Sequence, residues 1–221
     1  MLSAVILAGG NGQRFFPVEK CIAIFRKKPL VRHVVHRISP IASEIIIVAR
    51  DQEQGNAIYH AAADAATSNA TSSKYATSNA TSSTGSEKKL FITYDIIRDF
   101  GPLAGILSGL RSASHEFVFV TGCDMPFLNA KVVAFLFEEA NGFDAVVPAW
   151  ENGMIEPLHA IYRRDAMIEA AENTIKKGER RISSAIAYLR NTKFVDVAEI
   201  RKIDAELCTF ININTPNDLL I

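Results

Sequence analysis

Apolar runs and amphipathic stretches alternate along the first two thirds of the chain. Ala4 to Ala8 is an apolar run of strand length, and Ile45 to Val48 is a continuous β-branched run. Leu90 to Tyr94 and Glu116 to Thr121 (EFVFVT) repeat the pattern, and Ala145 to Pro148 closes the series. Each run predicts a strand, and Ile45 to Val48, lacking a polar face, predicts a central one covered on both sides. Between them lie segments of helical periodicity. Leu30, Val31, Val34, Val35 and Ile38 form an apolar stripe that Pro29 opens and Pro40 ends. Residues 51 to about 65 follow, with Ala57, Ile58 and Ala61 to Ala63 as their apolar side. Leu103 to Leu110 and Asn129 to Ala140 are two further helices. Strands alternating with helices predict an α/β fold of three layers, Rossmann-like, around a mostly parallel twisted sheet.

Beyond Pro148 the alternation weakens. Ile155 to Tyr162 (IEPLHAIY) reads as a strand containing His159, a lone histidine of the kind more often packed than catalytic. Arg164 to Lys176 is an amphipathic helix stopped by Lys177-Gly178. Glu179-Arg180-Arg181 is read as the start of a helix running to Leu189, and Thr209 to Ile213 as a final strand. On that strand Asn212 and Asn214, two positions apart, would face the same way. Thr215-Pro216 suits the N-cap and first turn of a short helix. One segment breaks the pattern: Ala66 to Ser73 is repeated as Ala76 to Ser83. Its Ser, Thr, Asn and Ala bury too little apolar area to offset ordering entropy, which predicts a low-complexity surface loop over residues 66–86.

At 221 residues, 48% hydrophobic and 22% charged, the chain fits a single globular domain. Its 24 basic and 24 acidic residues cancel, so no global field favours nucleic acid or a membrane surface. Any attraction for phosphate must be local. Cys21, Cys123 and Cys208 are scattered and match neither a disulfide framework nor a zinc spacing. Cys123 is read as a small buried filler. With no leader pattern and no run of membrane-spanning length, a cytoplasmic location is expected.

The candidate chemistry gathers at strand ends. After the first strand, Gly9, Gly10 and Gly12 permit positive φ and close backbone approach to a ligand, and Arg14 and Lys20 add cations. The stretch is neither a Walker loop nor a dinucleotide fingerprint, because the Gly-Lys-Ser/Thr string is missing and Phe15 stands where a third small residue belongs. Asp95 ends the third strand, and Gly101-Pro102 open the next helix, whose amino terminus suits an anion. Gly122-Cys123-Asp124-Met125-Pro126 ends the fourth strand and places a carboxylate at the carboxyl edge, opposite the glycine loop.

LAGGNGQRFFPVEK resembles the nucleotide signature of the MobA-like nucleotidyltransferase family, most closely that of the molybdenum cofactor guanylyltransferases. GPLAGILSGL from Gly101, GCDMPFL from Gly122, GERRI from Gly178 and FININTPNDL from Phe210 extend the likeness over nearly the whole chain. The resemblance implies a three-layer nucleotidyltransferase fold, with a nucleotide-binding part over about 1–126 and an acceptor-binding part over about 127–221. It implies GMP transfer from GTP to molybdenum-molybdopterin, with a molybdoenzyme or its chaperone as a further partner. Arg14, Lys20 and Asp124 are the implied catalytic residues, and Asp124 the ligand of a magnesium cofactor. Leu7, Ala8, Gly9, Gly10, Gly12, Lys20, Asp95, Gly101 and Pro102 align with nucleotide-binding positions. Arg180, Arg181, Asn212 and Asn214 align with the acceptor side. Asp95 suits the donor edge of guanine or a ribose equally. Two positions depart from the family pattern: Phe16 replaces a usual Gly, and Val48 stands where a relative offers Asn. Cytidylyl transfer to the same pterin, nucleotidyl transfer to another phosphorylated small molecule, and non-catalytic binding are the alternatives.

Overall fold

Ser3 to Ile6 are fully buried, which is possible only for a strand flanked by strands and covered on both faces. They belong to β1 (Leu2–Leu7), the centre of the sheet. The computed structural model describes residues 1–10, 13–15, 18–62, 89–97 and 100–221. Gly12, Phe16 and the repeat at 66–86 therefore lie outside the described residues.

A short ribbon follows the glycine segment, made of β2 (Ile24–Phe25) and β3 (Lys28–Pro29). Then come α1 (Leu30–Ile38), β4 (Glu44–Ala49), α2 (Gln52–Ala62), β5 (Lys89–Tyr94), α3 (Pro102–Ser112) and β6 (Phe117–Gly122). The remainder comprises α4 (Ala130–Glu138), β7 (Ala145–Ala149), β8 (His159–Arg163), α5 (Arg164–Lys176), α6 (Ile182–Ile186), β9 (Thr192–Asp196) and α7 (Val197–Arg201). Among the described residues, seven strands form one sheet in the order β5-β4-β1-β6-β8-β7-β9. Only β8 runs against its neighbours, so the sheet is mostly parallel, as expected.

Two apolar layers sandwich this sheet. Ala4 and Ile6, Ile45 and Ile47, Phe119 and Ile161 point toward α1, α2 and α4. The residues between them, Val5, Ile46, Val48, Val120 and Tyr162, point toward α3, α5 and α6. Helix α3 seats deepest, because Gly109 lacks a side chain: a Cβ there would lie 2.4 Å from a Val5 methyl. Leu103, Ile106 and Leu110 of α3 are fully buried, each worth about 1.5–3 kcal/mol. Among the described residues, no helix is long and apolar enough to cross a membrane.

Several expectations need correction. Thr209 to Ile213 is not a strand. A 3-10 turn, Cys208–Phe210, is followed by irregular chain whose groups engage separate partners. The Thr209 hydroxyl meets His159 and the Asn129 amide, while the Ile213 amide donates to the Asp124 carbonyl at 2.9 Å. Asn212 and Asn214 thus share no strand face. Arg180 and Arg181 precede α6 rather than begin it, since the chain leaves α5 through Gly178 at φ 77° and Arg181 is the N-cap. The strand expected from Ile155 starts only at His159. Thr215 does cap the terminal turn Pro216–Leu220, in a reciprocal capping box with Asp218.

Candidate active site

Parallel pairing brings three strand ends to one edge. Leu7 is in register with Val48 on β4 and with Gly122 on β6. Where pairing stops, single hydrogen bonds keep the exits aligned: Ala8 N to Val48 O, Cys123 N to Leu7 O, and Asp95 N to Ala49 O, at 2.9, 3.0 and 2.9 Å. The glycine segment and the acidic turn therefore stand side by side on adjacent strands, not across from one another. They open into a cavity of about 960 Å³. Leu7, Ala8, Gly9, Gly10, Arg14, Lys20, Asp95, Gly101, Pro102, Asp124 and Asn214 all line it. Arg180, Arg181 and Asn212 do not. The Arg180 guanidinium lies 5.1 Å from the Phe100 ring centre, next to the lining residue Gly101. The Asn212 amide turns back to the Phe210 carbonyl.

Lys20 Nζ donates to Asp124 Oδ2 at 2.6 Å and to Asn214 Oδ1 at 3.2 Å. Three segments remote in sequence thus converge on one ammonium group. Gly122 makes the carboxylate position possible, since a Cβ there would fall 2.4 Å from Asp124 Oδ1. Gly9 likewise permits close packing, as its Cβ would meet the Arg50 amide nitrogen at 3.2 Å. The Cys123 thiol, hydrogen-bonded to Cys21 and buried, is pushed well above the usual thiol range. It stays protonated and inert, the filler it was expected to be.

Magnesium fits this donor set. Among the described residues, no three His, Cys, Asp or Glu side chains cluster to hold an ion. A single carboxylate ligand such as Asp124 would suit an ion that takes most of its ligands from phosphate and water.

Residues unnoticed in the sequence complete the wall. Arg50 and Asp51 line the cavity immediately beyond β4. The available signal was their place directly after a buried strand that parallels the glycine-loop strand. Arg50 donates to Glu19 Oε1 at 2.8 Å and to Asp51 Oδ2 at 3.1 Å. Glu19, and then Asp51, holds the guanidinium above its ordinary range. Phe15, Val48, Gly105 and Leu158 add apolar and small lining. His159 lies outside the cavity, edge-on between Phe119 and Phe210, and burial pushes it down to about 3. It is a packed residue rather than a base.

Comparison with known proteins agrees with this geometry. A probable molybdenum cofactor guanylyltransferase from Methanosarcina mazei is 34% identical over 98% of this chain and 88% of its own length. Its counterpart from Methanosarcina acetivorans is 35% identical with the same coverage. The crystal structure of molybdopterin-guanine dinucleotide biosynthesis protein A from Archaeoglobus fulgidus superposes with a TM-score of 0.72 at 30% identity, covering 100% of this chain and 95% of that one. Residues 4–191 match the MobA-like NTP transferase domain, and with these full-length relatives they make the chain a member of that family.

Proposed function

We propose that the protein transfers GMP from GTP to molybdenum-molybdopterin, forming molybdopterin guanine dinucleotide and releasing pyrophosphate. The observation that carries this reading is the meeting of Lys20 and Asp124 beside the glycine segment in a nucleotide-sized cavity. Relatives of nearly equal length bear the name of that activity.

An oxygen of the pterin's terminal phosphate would attack the α-phosphorus of GTP in line, as the bond from that phosphorus to the bridging oxygen of pyrophosphate breaks. No protein nucleophile is consumed, so the chain's task is positioning and neutralisation of spread charge. The amides of Gly9 and Gly10 cradle phosphate. Arg14 and Lys20 offset charge on the leaving pyrophosphate. Asp124 would hold a magnesium ion, which when bound would supply Lewis-acid polarisation of phosphoryl oxygens. Leu7, Ala8 and Asp95 form the nucleoside side, and the amino end of α3 at Gly101-Pro102 faces the same space. Asn214 fixes Lys20, and Arg180 and Arg181 receive the pterin beyond Phe100. Residues from about 127 onward then serve mainly the acceptor. Three free cysteines suit a reducing, cytoplasmic setting, where a molybdoenzyme or its chaperone would collect the product.

The test is magnesium-dependent thermal stabilisation by GTP, CTP, ATP and UTP in parallel, followed by pyrophosphate release in the presence of the pterin. GTP at a hundredfold its dissociation constant should raise the midpoint by roughly 5–10 °C. A preference for CTP would move the assignment to cytidylyl transfer. Binding without pyrophosphate release would favour a non-catalytic carrier.

A further inference from the structure

Gln54 is a polar side chain only 3% exposed, buried in the first turn of α2 beneath the nucleotide cavity. Among the described residues, its three side-chain hydrogen bonds all lead to segments that shape that cavity. Its Nε2 donates to the Ala8 carbonyl at 3.2 Å and to Glu19 Oε2 at 2.9 Å. Its Oε1 accepts from the Arg50 amide at 2.7 Å. Glu19 takes the Arg50 guanidinium on its other oxygen, Arg50 bonds Asp51, and Asp51 Oδ1 accepts from the Gln54 amide at 2.8 Å. The four residues thus close a ring. It joins the first residue of the glycine segment, the residue before Lys20 and the wall beyond β4.

We propose that Gln54 is the positioning residue that sets the glycine segment and Lys20 relative to one another, and so tunes affinity for the nucleotide triphosphate. Only an amide serves here. The site demands two donors toward oxygen atoms and one acceptor toward an N–H, and in a buried place each unmet group is costly. Glutamate would set a second carboxylate against Glu19 and leave the Ala8 carbonyl without its donor. Alanine would strand all three partners. Gln54 itself does not line the cavity and acts through Ala8, Glu19 and the lining residues Arg50 and Asp51, so it shapes binding without touching substrate.

The inference rests on the nucleotidyl-transfer reading, and the test keeps the two apart. Direct titration with magnesium GTP, kcat and KM from pyrophosphate release, and unfolding midpoints are measured for the wild type, Gln54→Glu, Glu19→Gln and the double exchange. Gln54→Glu should weaken GTP binding and raise its KM at least tenfold, with the acceptor KM within twofold. The double exchange restores a carboxylate–amide pair and should recover at least half of that loss on a logarithmic scale. A merely structural role would lower the midpoint and the active fraction while GTP affinity stayed put. GTP affinity within twofold of wild type in Gln54→Glu, or additive losses in the double exchange, overturns the proposal. Should Gln54→Glu not fold, the double exchange decides alone against Glu19→Gln: tighter GTP binding than in Glu19→Gln supports the coupling, and equal or weaker binding overturns it. A wild type that binds GTP yet releases no pyrophosphate counts against the reaction, while the titrations still judge Gln54.

Discussion

Lys20 and Asp124, 104 positions apart in sequence, meet at 2.6 Å across the exits of two neighbouring strands. Each is about four-fifths covered, with 20% and 24% of its side chain exposed. Replacing Asp124 by Ala should lower kcat at least about a hundredfold, as loss of charge stabilisation at a phosphoryl centre does. The fold should survive, because Lys20 keeps its hydrogen bond to Asn214 and both side chains retain some access to solvent at the cavity wall. Lys20→Ala should raise the GTP KM and lower kcat together. Circular dichroism with steady-state pyrophosphate release checks both, and unchanged turnover in Asp124→Ala would remove the metal assignment.

Gly122→Ala offers a gentler version of the same test. The added methyl would lie 2.4 Å from Asp124 Oδ1, so the carboxylate must turn away. Magnesium activation should then need at least about tenfold more metal, while overpacking costs roughly 1–3 kcal/mol of stability. Magnesium titrations of the rate, beside urea unfolding, separate the two effects. Wild-type metal dependence would show that this carboxylate position is not required.

His159 should make the fold sensitive to mild acid. Burial lowers its folded pKa to about 3, whereas in the unfolded chain it titrates near 6.5. Above pH 6.5 neither state holds the proton, and the contribution is complete. As pH falls from there toward 3, only the unfolded chain gains a proton, so stability drops by up to about 1.4 kcal/mol per pH unit. His159→Gln, which retains a polar partner for Thr209, should flatten the dependence between pH 6.5 and 4.5. Urea midpoints at several pH values decide it, and parallel profiles would refute the cause.

Arg180→Ala should discriminate between the two substrates. Arg180 packs on Phe100 and stays outside the cavity lining. Its loss should raise the acceptor KM several-fold and leave GTP-induced stabilisation within experimental scatter. A change in GTP binding with no change in acceptor KM would place the pterin elsewhere.

Much of the fold could be read directly from the chain. Runs such as Ile45 to Val48 leave no polar face and so had to become interior strands; all five runs anticipated in the first two thirds became strands of the sheet, although β5 lies at its edge and is only half-buried. Gly9, Gly10, Asp95 and Asp124 were legible because each sits just beyond a strand end, where parallel pairing collects side chains, and Lys20 because it follows the glycines as a cation in the family's motif. The failures fall where local pattern competes with long-range partners. Thr209 to Ile213 is rich in β-branched and aromatic residues like a strand, yet its residues bond separately to His159, Asn129 and Asp124.

What the sequence determined by itself was the alternating strands and helices up to β7 and the chemistry at the sheet's carboxyl edge, because hydrophobic period and glycine or proline punctuation act locally; β9 and α7 were not legible in it. What only the tertiary structure decided was adjacency. Sheet order placed β6 beside β1 and brought Asp124 onto Lys20. Burial of Gln54 closed a ring with Glu19, Arg50 and Asp51 and tied the Ala8 carbonyl to it. Neither contact leaves a periodic trace, since hydrogen bonds between distant segments depend on where strands pair and not on how residues are spaced.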